Sequence, residues 1–287
     1  MGGVASSPGE HGGCVLRHGS AEDVGGRRTM EDAHSAAAGE GGGCPERCRG
    51  FYVGSAFQRV DAAFAAAVDA GRLAPSGTTA LAVAVIGSSI VVANAGDCRA
   101  VLSRAGRAQI LTNDHRPSCP AERARVEAAG GTVTPDGYLN GDLSVSRAIG
   151  DFHLPGMKDG GAGPLISRPE IVEVAIDDDC EFLVLASDGV FDAMTAHTLV
   201  AVARAELRRS NDPGRASQEV VSPAGGGTGG MGNRPDRRGH TCQKRGGADG
   251  GPSPPSRQFP WGQYVGRRGN RRYSPGAAVL GFRPTTQ

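Results

Sequence analysis

Two apolar, β-branched runs separated by one glycine do most to limit the fold. Thr78–Ile86 and Ser88–Ala95 are dominated by Val, Ile and Ala, with Gly87 between them. That is the pattern of a β-hairpin, in which glycine supplies the turn. Cys98–Ser103 and Ala108–Thr112 repeat it around Arg104-Ala105-Gly106, and Ile171–Ile176 and Glu181–Ser187 add two strands. Ser55–Ala70 is predicted to be a helix, because Phe57, Val60, Phe64 and Val68 recur at helical spacing before Gly71. Pro120–Ala129 is a second helix, with proline at its start and Gly130-Gly131 at its end. Thr195–Arg209 is a third. Hairpins packed with helices, without a βαβ rhythm, give an α+β class with antiparallel sheets.

Charge divides the chain where these patterns stop. The formal net charge of +1 over 287 residues argues against a dedicated nucleic-acid binder. From Pro223 to Gln287, however, ten Arg and one Lys face only Asp236 and Asp249, a net of +9. The preceding 222 residues hold 20 basic and 28 acidic residues, a net of −8. The last 65 residues also contain 16 Gly and 8 Pro. That composition buries too little apolar surface to fold, so residues 222–287 are expected to be a disordered Gly/Arg/Pro-rich tail. Gly266-Arg267-Arg268-Gly269-Asn270-Arg271-Arg272-Tyr273 resembles disordered RNA-binding segments, but an inert solvated tail is the simpler expectation.

Residues 1–21 read as a flexible leader. Met1-Gly2 with Ser6 fits a short acylation pattern at Gly2. No apolar run approaches the roughly 18 residues of a membrane span. Seven scattered cysteines fit a reduced compartment, cytoplasmic or nuclear. Cys44 and Cys48 have no second pair at zinc spacing.

The chemistry-bearing residues sit at strand ends. Glu31-Asp32 follow Arg27-Arg28, Asp97 follows Ala95-Gly96, Asp114-His115 follow a strand, and Asp188 and Asp192 follow the apolar run ending at Ala186. Carboxylates in such turns suit hard, oxygen-seeking cations such as Mg²⁺ or Mn²⁺, and a neighbouring arginine suits a phosphate. Turns also attract Asp for backbone hydrogen bonding alone. No H-E-x-x-H, G-x-S-x-G or phosphate-binding P-loop motif is present.

Taken in order, these turns resemble the metal-dependent Ser/Thr protein phosphatases of type 2C. The similarity runs from Gly25-Gly26-Arg27-Arg28-Thr29-Met30-Glu31-Asp32 through Ser76-Gly77-Thr78-Thr79-Ala80 and Ala93-Asn94-Ala95-Gly96-Asp97-Cys98-Arg99. It continues through Asp114-His115-Arg116-Pro117, Leu143-Ser144-Val145-Ser146-Arg147-Ala148-Ile149-Gly150-Asp151 and Ser187-Asp188-Gly189-Val190-Phe191-Asp192. The wording is most similar to plant members, and the resemblance covers residues 22–221. It implies an α-β-β-α sandwich, two antiparallel sheets flanked by helices, that hydrolyses phosphoserine and phosphothreonine with water activated by two Mg²⁺ or Mn²⁺ ions. It implies Arg27 as the phosphate-binding catalytic residue, Asp188 as a direct metal ligand, and Glu31 and Asp32 in or beside the metal shell. Asp114 and Asp192 match a further, weaker metal position. Phosphorylated proteins, and kinases, are the implied partners of a monomer.

Two family motifs are missing from this sequence. No D-G-H occurs: Gly50-Phe51-Tyr52 starts like that strand, then passes at once into a helix, a deletion near residue 53. Only 44 residues separate Asp32 from Gly77. The G-D-N strand is absent too, since the similarity ends at Val221. The expectation is therefore an incomplete sandwich with an unfilled sheet position, lowered stability and impaired or lost activity. The alternative is a non-catalytic pseudophosphatase module that binds kinases or phosphoproteins. Arg147 is expected to form a structural salt bridge, and His34, His115 and His153 to be turn or surface histidines.

Overall fold

The computed structural model describes residues 10–11, 14–22, 49–222 and 276–284, all in one compact unit. In chain order the elements are β1 (Glu10–His11), β2 (Cys14–Glu22), α1 (Arg49–Asp69), β3 (Gly77–Thr78), β4 (Ala80–Ile86) and β5 (Ser89–Ala95). Then come β6 (Arg99–Arg104), β7 (Arg107–Ile110), α2 (Pro120–Ala128), β8 (Ile149–Gly150), β9 (Glu170–Ala175) and β10 (Cys180–Ala186). The last are α3 (Asp188–Ala193), α4 (Ala196–Ser210), α5 (Pro213–Val221) and β11 (Gly276–Pro284). No described helix is long and apolar enough to cross a membrane.

Turn chemistry fixes the hairpins. Gly87 joins β4 to β5 at φ +60°, and Ala105-Gly106 join β6 to β7 at φ +48° and +76°. Two successive left-handed residues match the right-handed twist of the flanking strands. Caps fix the helices. Thr195 Oγ1 accepts the Thr198 N–H at 3.2 Å, and α4 ends on Asn211 in the left-handed region. Asp212 caps α5 by accepting the Gly214 N–H at 2.8 Å, with Pro213 opening the helix.

The strands form a six-stranded sheet, β1-β2-β11-β10-β6-β7, a three-stranded sheet, β4-β5-β9, and the small pair β3-β8. All these strand pairs are antiparallel. Alternating side chains make three apolar layers. Ile90, Val92, Ala100, Leu102 and Leu183 meet between the two large sheets, joined by Leu81, Val83, Val172 and Leu280. Val101, Phe182, Val184 and Val279 point the other way, onto Leu199, Val200 and Ala203 of α4 and Ala216, Val220 and Val221 of α5. Ala93 and Ala95 face Phe57 of α1. Helix, sheet, sheet and helix therefore stack as the sequence implies.

Two stretches carry strands that their composition does not suggest. The stretch read as a flexible leader supplies β1 and the nine-residue β2. The tail read as disordered over 222–287 contains β11, which pairs with β2 from Gly276↔Glu22 to Pro284↔Cys14 and with β10 from Ala277↔Ala186 to Gly281↔Phe182. The sheet position expected to be unfilled is occupied. Ser217 of α5 also accepts the Val279 N–H at 3.2 Å, tying α5 to this strand. The physical reason is local: Gly276–Phe282 is a short, uncharged and continuously apolar run, a signal that vanishes when averaged over 65 residues of Gly, Arg and Pro.

Candidate functional site

Sheet register brings the candidate residues to one end of the six-stranded sheet. Ala186, the last residue of β10, lies opposite Arg99, the first of β6. Asp188 therefore starts α3 just beyond the point where the β5–β6 turn arrives. That turn is Ala95-Gly96-Asp97. Gly96 has φ +128°, and a Cβ there would collide with Thr79, so glycine is required. The loop after β7 is stapled to the turn by His115, whose N–H donates to Gly96 O at 3.0 Å. The Gly96 N–H in turn donates to His115 Nδ1 at 3.2 Å. His115 is thus buried, at 3% exposure, rather than a surface histidine. Burial first, and then Arg147, hold its pKa below the usual histidine value. Asp114 and Arg116, its neighbours, project into the same space as Asp97, Asp188 and Asp192.

The charges interlock. Arg99 grips Asp114 with two hydrogen bonds, from Nε at 2.7 Å and Nη2 at 2.8 Å, and its guanidinium lies 4.9 Å from the Phe191 ring centroid. Arg116 reaches three carboxylates: Nη2 is 2.8 Å from Asp97 Oδ2 and 3.9 Å from Asp188 Oδ2, and Nε is 3.4 Å from Asp114 Oδ2. Its buried Nε makes no hydrogen bond despite that approach. Burial pushes the Asp97 carboxyl up to about 6, against the pull of Arg116 and with the push of Asp188 and Asp114. Burial opposes the charge on Arg116, but Asp97, Asp114, Asp188 and Asp192 outweigh it and raise its pKa. Four aspartates and two arginines leave a formal −2.

The structure thus brings together Asp114, Asp188 and Asp192. Arg27, Glu31 and Asp32, like Gly2, Cys44 and Cys48, lie outside the described residues. Asp97, Arg99 and Arg116 complete the cluster; Asp97 stands among the strand-end acids of the sequence, whereas the two arginines are not among the expected site residues. Their signal was position alone, since each flanks or belongs to a strand-end turn. The donor set does not fit Mg²⁺ or Mn²⁺ by itself. No group of three or more His, Cys, Asp or Glu among the described residues could hold a metal ion. Among the described residues, the cation beside Asp188 is Arg116. β11 also enters the sheet at this end with Gly276-Ala277, next to Ala186, and carries no carboxylate anywhere along its length.

A family model described as protein phosphatase 2C matches residues 51–225, more than half of the chain. The chain belongs to the protein phosphatase 2C family. It is 49% identical over 172 residues to "Probable protein phosphatase 2C 27" of Arabidopsis thaliana, covering 60% of this chain and 44% of that protein. It is 48% identical over 173 residues to "Probable protein phosphatase 2C 57" of Oryza sativa subsp. japonica, covering 60% of this chain and 47% of the relative. The match spans a little under half the length of these curated relatives. Among solved structures, a serine-threonine phosphatase 2C from Toxoplasma gondii superposes with a TM-score of 0.62 at 15% identity, covering 96% of this chain and 97% of that one. That likeness concerns the fold.

Elsewhere in the phosphatase 2C domain, a second charged cluster has a different character. Glu122 of α2, 5% exposed, receives Arg147 Nη2 at 2.6 Å, Arg125 Nη2 at 2.9 Å and Ser146 Oγ at 2.6 Å. Burial alone would raise its pKa, but the bonds from Arg147, Arg125 and Ser146 outweigh burial and hold it at about 2. Arg147 also donates to Arg168 O at 3.1 Å. It is a structural arginine, as expected.

Proposed function

We propose that this chain carries the protein serine/threonine phosphatase function of its family in an impaired form, with slow or no hydrolysis of phosphoserine and phosphothreonine. The single observation behind this reading is the company Asp188 keeps. It sits at the sheet end where the family is expected to gather metal-binding carboxylates, yet among the described residues Arg116 lies beside it and the adjacent strand β11 supplies no acid. Carboxylates offset the repulsion between two closely held dications, so an arginine beside Asp188 and a neighbouring strand without an acid weaken any such centre. The implied Mg²⁺ or Mn²⁺ would find Asp188 and Asp192 among the described residues, with Glu31, Asp32 and the phosphate-binding Arg27 as further contributors from sequence alone.

The test is turnover. Initial rates on a phosphothreonine peptide and on p-nitrophenyl phosphate, with Mn²⁺, are compared with those of a full-length relative such as the Arabidopsis protein. A rate at least a hundredfold lower is expected; a comparable rate would overturn the reading. The second reading, a non-catalytic module that binds phosphoproteins or kinases as a monomer in the cytoplasm or nucleus, draws on the same arginine. Retention of a phosphopeptide without turnover would favour it.

A further inference from the structure

We infer that Arg116 is the resident counter-cation of the Asp97–Asp114–Asp188 cluster and that it excludes divalent metal from Asp188. The inference rests on the reading of Asp188 as the metal-facing acid. Its physical basis is the geometry of a single guanidinium.

Arg116 Nη2 lies 3.9 Å from Asp188 Oδ2. A Mg²⁺ ion binds carboxylate oxygen at about 2.1 Å, so an ion on that oxygen would lie within about 6 Å of Nη2 wherever it sat on the coordination sphere. Mn²⁺, also a hard oxygen-seeking dication, meets the same constraint. Two like charges at that separation, in a partly desolvated site, repel strongly.

The arginine cannot step aside freely. Nη2 is committed to Asp97 at 2.8 Å, and Nε faces Asp114 at 3.4 Å. Its side chain is only 19% exposed. The backbone beside it is pinned through His115 to Gly96 and Ser146, whose N–H donates to His115 O at 2.9 Å. Retreat toward Asp114 is blocked as well, because both oxygens of that carboxylate are already held by Arg99.

Arg116 also suits this role chemically. A guanidinium stays charged at any physiological pH, and its planar fork serves several carboxylates at once. A lysine ammonium is a point charge that satisfies them one at a time. Arg99 differs in function: its fork is spent on one aspartate and its face on Phe191, so it braces Asp114 rather than guarding Asp188.

The experiment is calorimetric titration of the full chain with Mn²⁺ alone, in a phosphate-free buffer at fixed ionic strength. Arg116→Gln is expected to bind Mn²⁺ at least tenfold tighter than the parent, about 1.4 kcal/mol; a saturable isotherm where the parent gives none counts as tightening. Arg123→Gln removes an exposed arginine of α2, paired with Glu127, and is expected to leave affinity within twofold of the parent. If circular dichroism shows that Arg116→Gln fails to fold, Arg116→Lys takes its place, with at least threefold tightening expected. No tightening in the folded variant, or equal tightening in Arg123→Gln, overturns the inference. Turnover by the parent chain decides the impaired-phosphatase reading separately. An inactive parent whose folded Arg116 variant binds Mn²⁺ no tighter would overturn this inference and leave that reading standing.

Discussion

Glu122 and Asp188 both stand beside arginines, and their surroundings differ in almost every other respect. Glu122 is one carboxylate among two guanidinium groups and a hydroxyl, nearly sealed from water. Its partners come from α2 and from the Ser146-Arg147 segment, and Arg125 also donates to the carbonyls of Ser146 and Pro164 at 2.9 and 3.0 Å. Asp188 is one of four carboxylates that share two arginines, and its side chain is 37% exposed. The first cluster is over-supplied with donors and holds the long segment between α2 and β9 in place. The second is under-supplied and open. Surplus negative charge at an open sheet end costs stability and is retained where a cation or ligand is served.

The largest effect should come from breaking the closed cluster. Glu122→Ala leaves Arg125 and Arg147 half-buried without their counter-charge, and a loss of about 3 kcal/mol is expected in urea denaturation. A loss below about 1 kcal/mol would erase the contrast. Acid titration approaches the same cluster reversibly. With the folded pKa of Glu122 near 2 and its ordinary value at 4.5, its contribution is fully present above about pH 4.5 and is lost as pH falls toward 2. That contribution is roughly 3 kcal/mol. Glu122→Gln should flatten this limb of the melting-temperature profile.

Asp97 should behave with the opposite sign. Its carboxyl is raised to about 6 from 3.8, so the folded state takes up a proton more readily than the unfolded chain. Stability should therefore rise as pH falls from about 6 to 4, by on the order of 2 kcal/mol. Asp97→Asn should remove the rise; a melting temperature that falls steadily from pH 7 to 4 in the parent would contradict this assignment. The smallest effect belongs to Asp188→Asn. Removing one exposed charge from a surplus should change stability by no more than about 1 kcal/mol, and in the stabilising direction. Chemical denaturation reads this directly, and a large loss would place Asp188 among the structural residues with Glu122.

Much of the fold was legible locally. The hairpin predicted over Thr78–Ala95 forms within two residues of its expected bounds, because Gly87 and the β-branched flanks act over short range. α2 and α4 match their capping signals to within a residue. β2 was missed because Cys14–Glu22 mixes Arg, His and Gly with too few apolar residues to show a period. β11 was missed because its neighbours in sequence carry the opposite message. The site was half legible. Asp114, Asp188 and Asp192 stood out by their turns, whereas Arg116 and Arg99 gained meaning only when register brought β6 and β10 to one end.

The sequence by itself determined the class of fold, the strand-end placement of the acids and the family, since each rests on residues near one another in the chain or on ordered motifs. The tertiary structure alone decided that a nine-residue piece of an arginine-rich tail completes the six-stranded sheet, and that Arg116 lies beside Asp188. Both outcomes depend on pairings between segments far apart in the chain, made favourable by buried apolar area and by charges meeting at short distance. Neither quantity exists until the chain has folded.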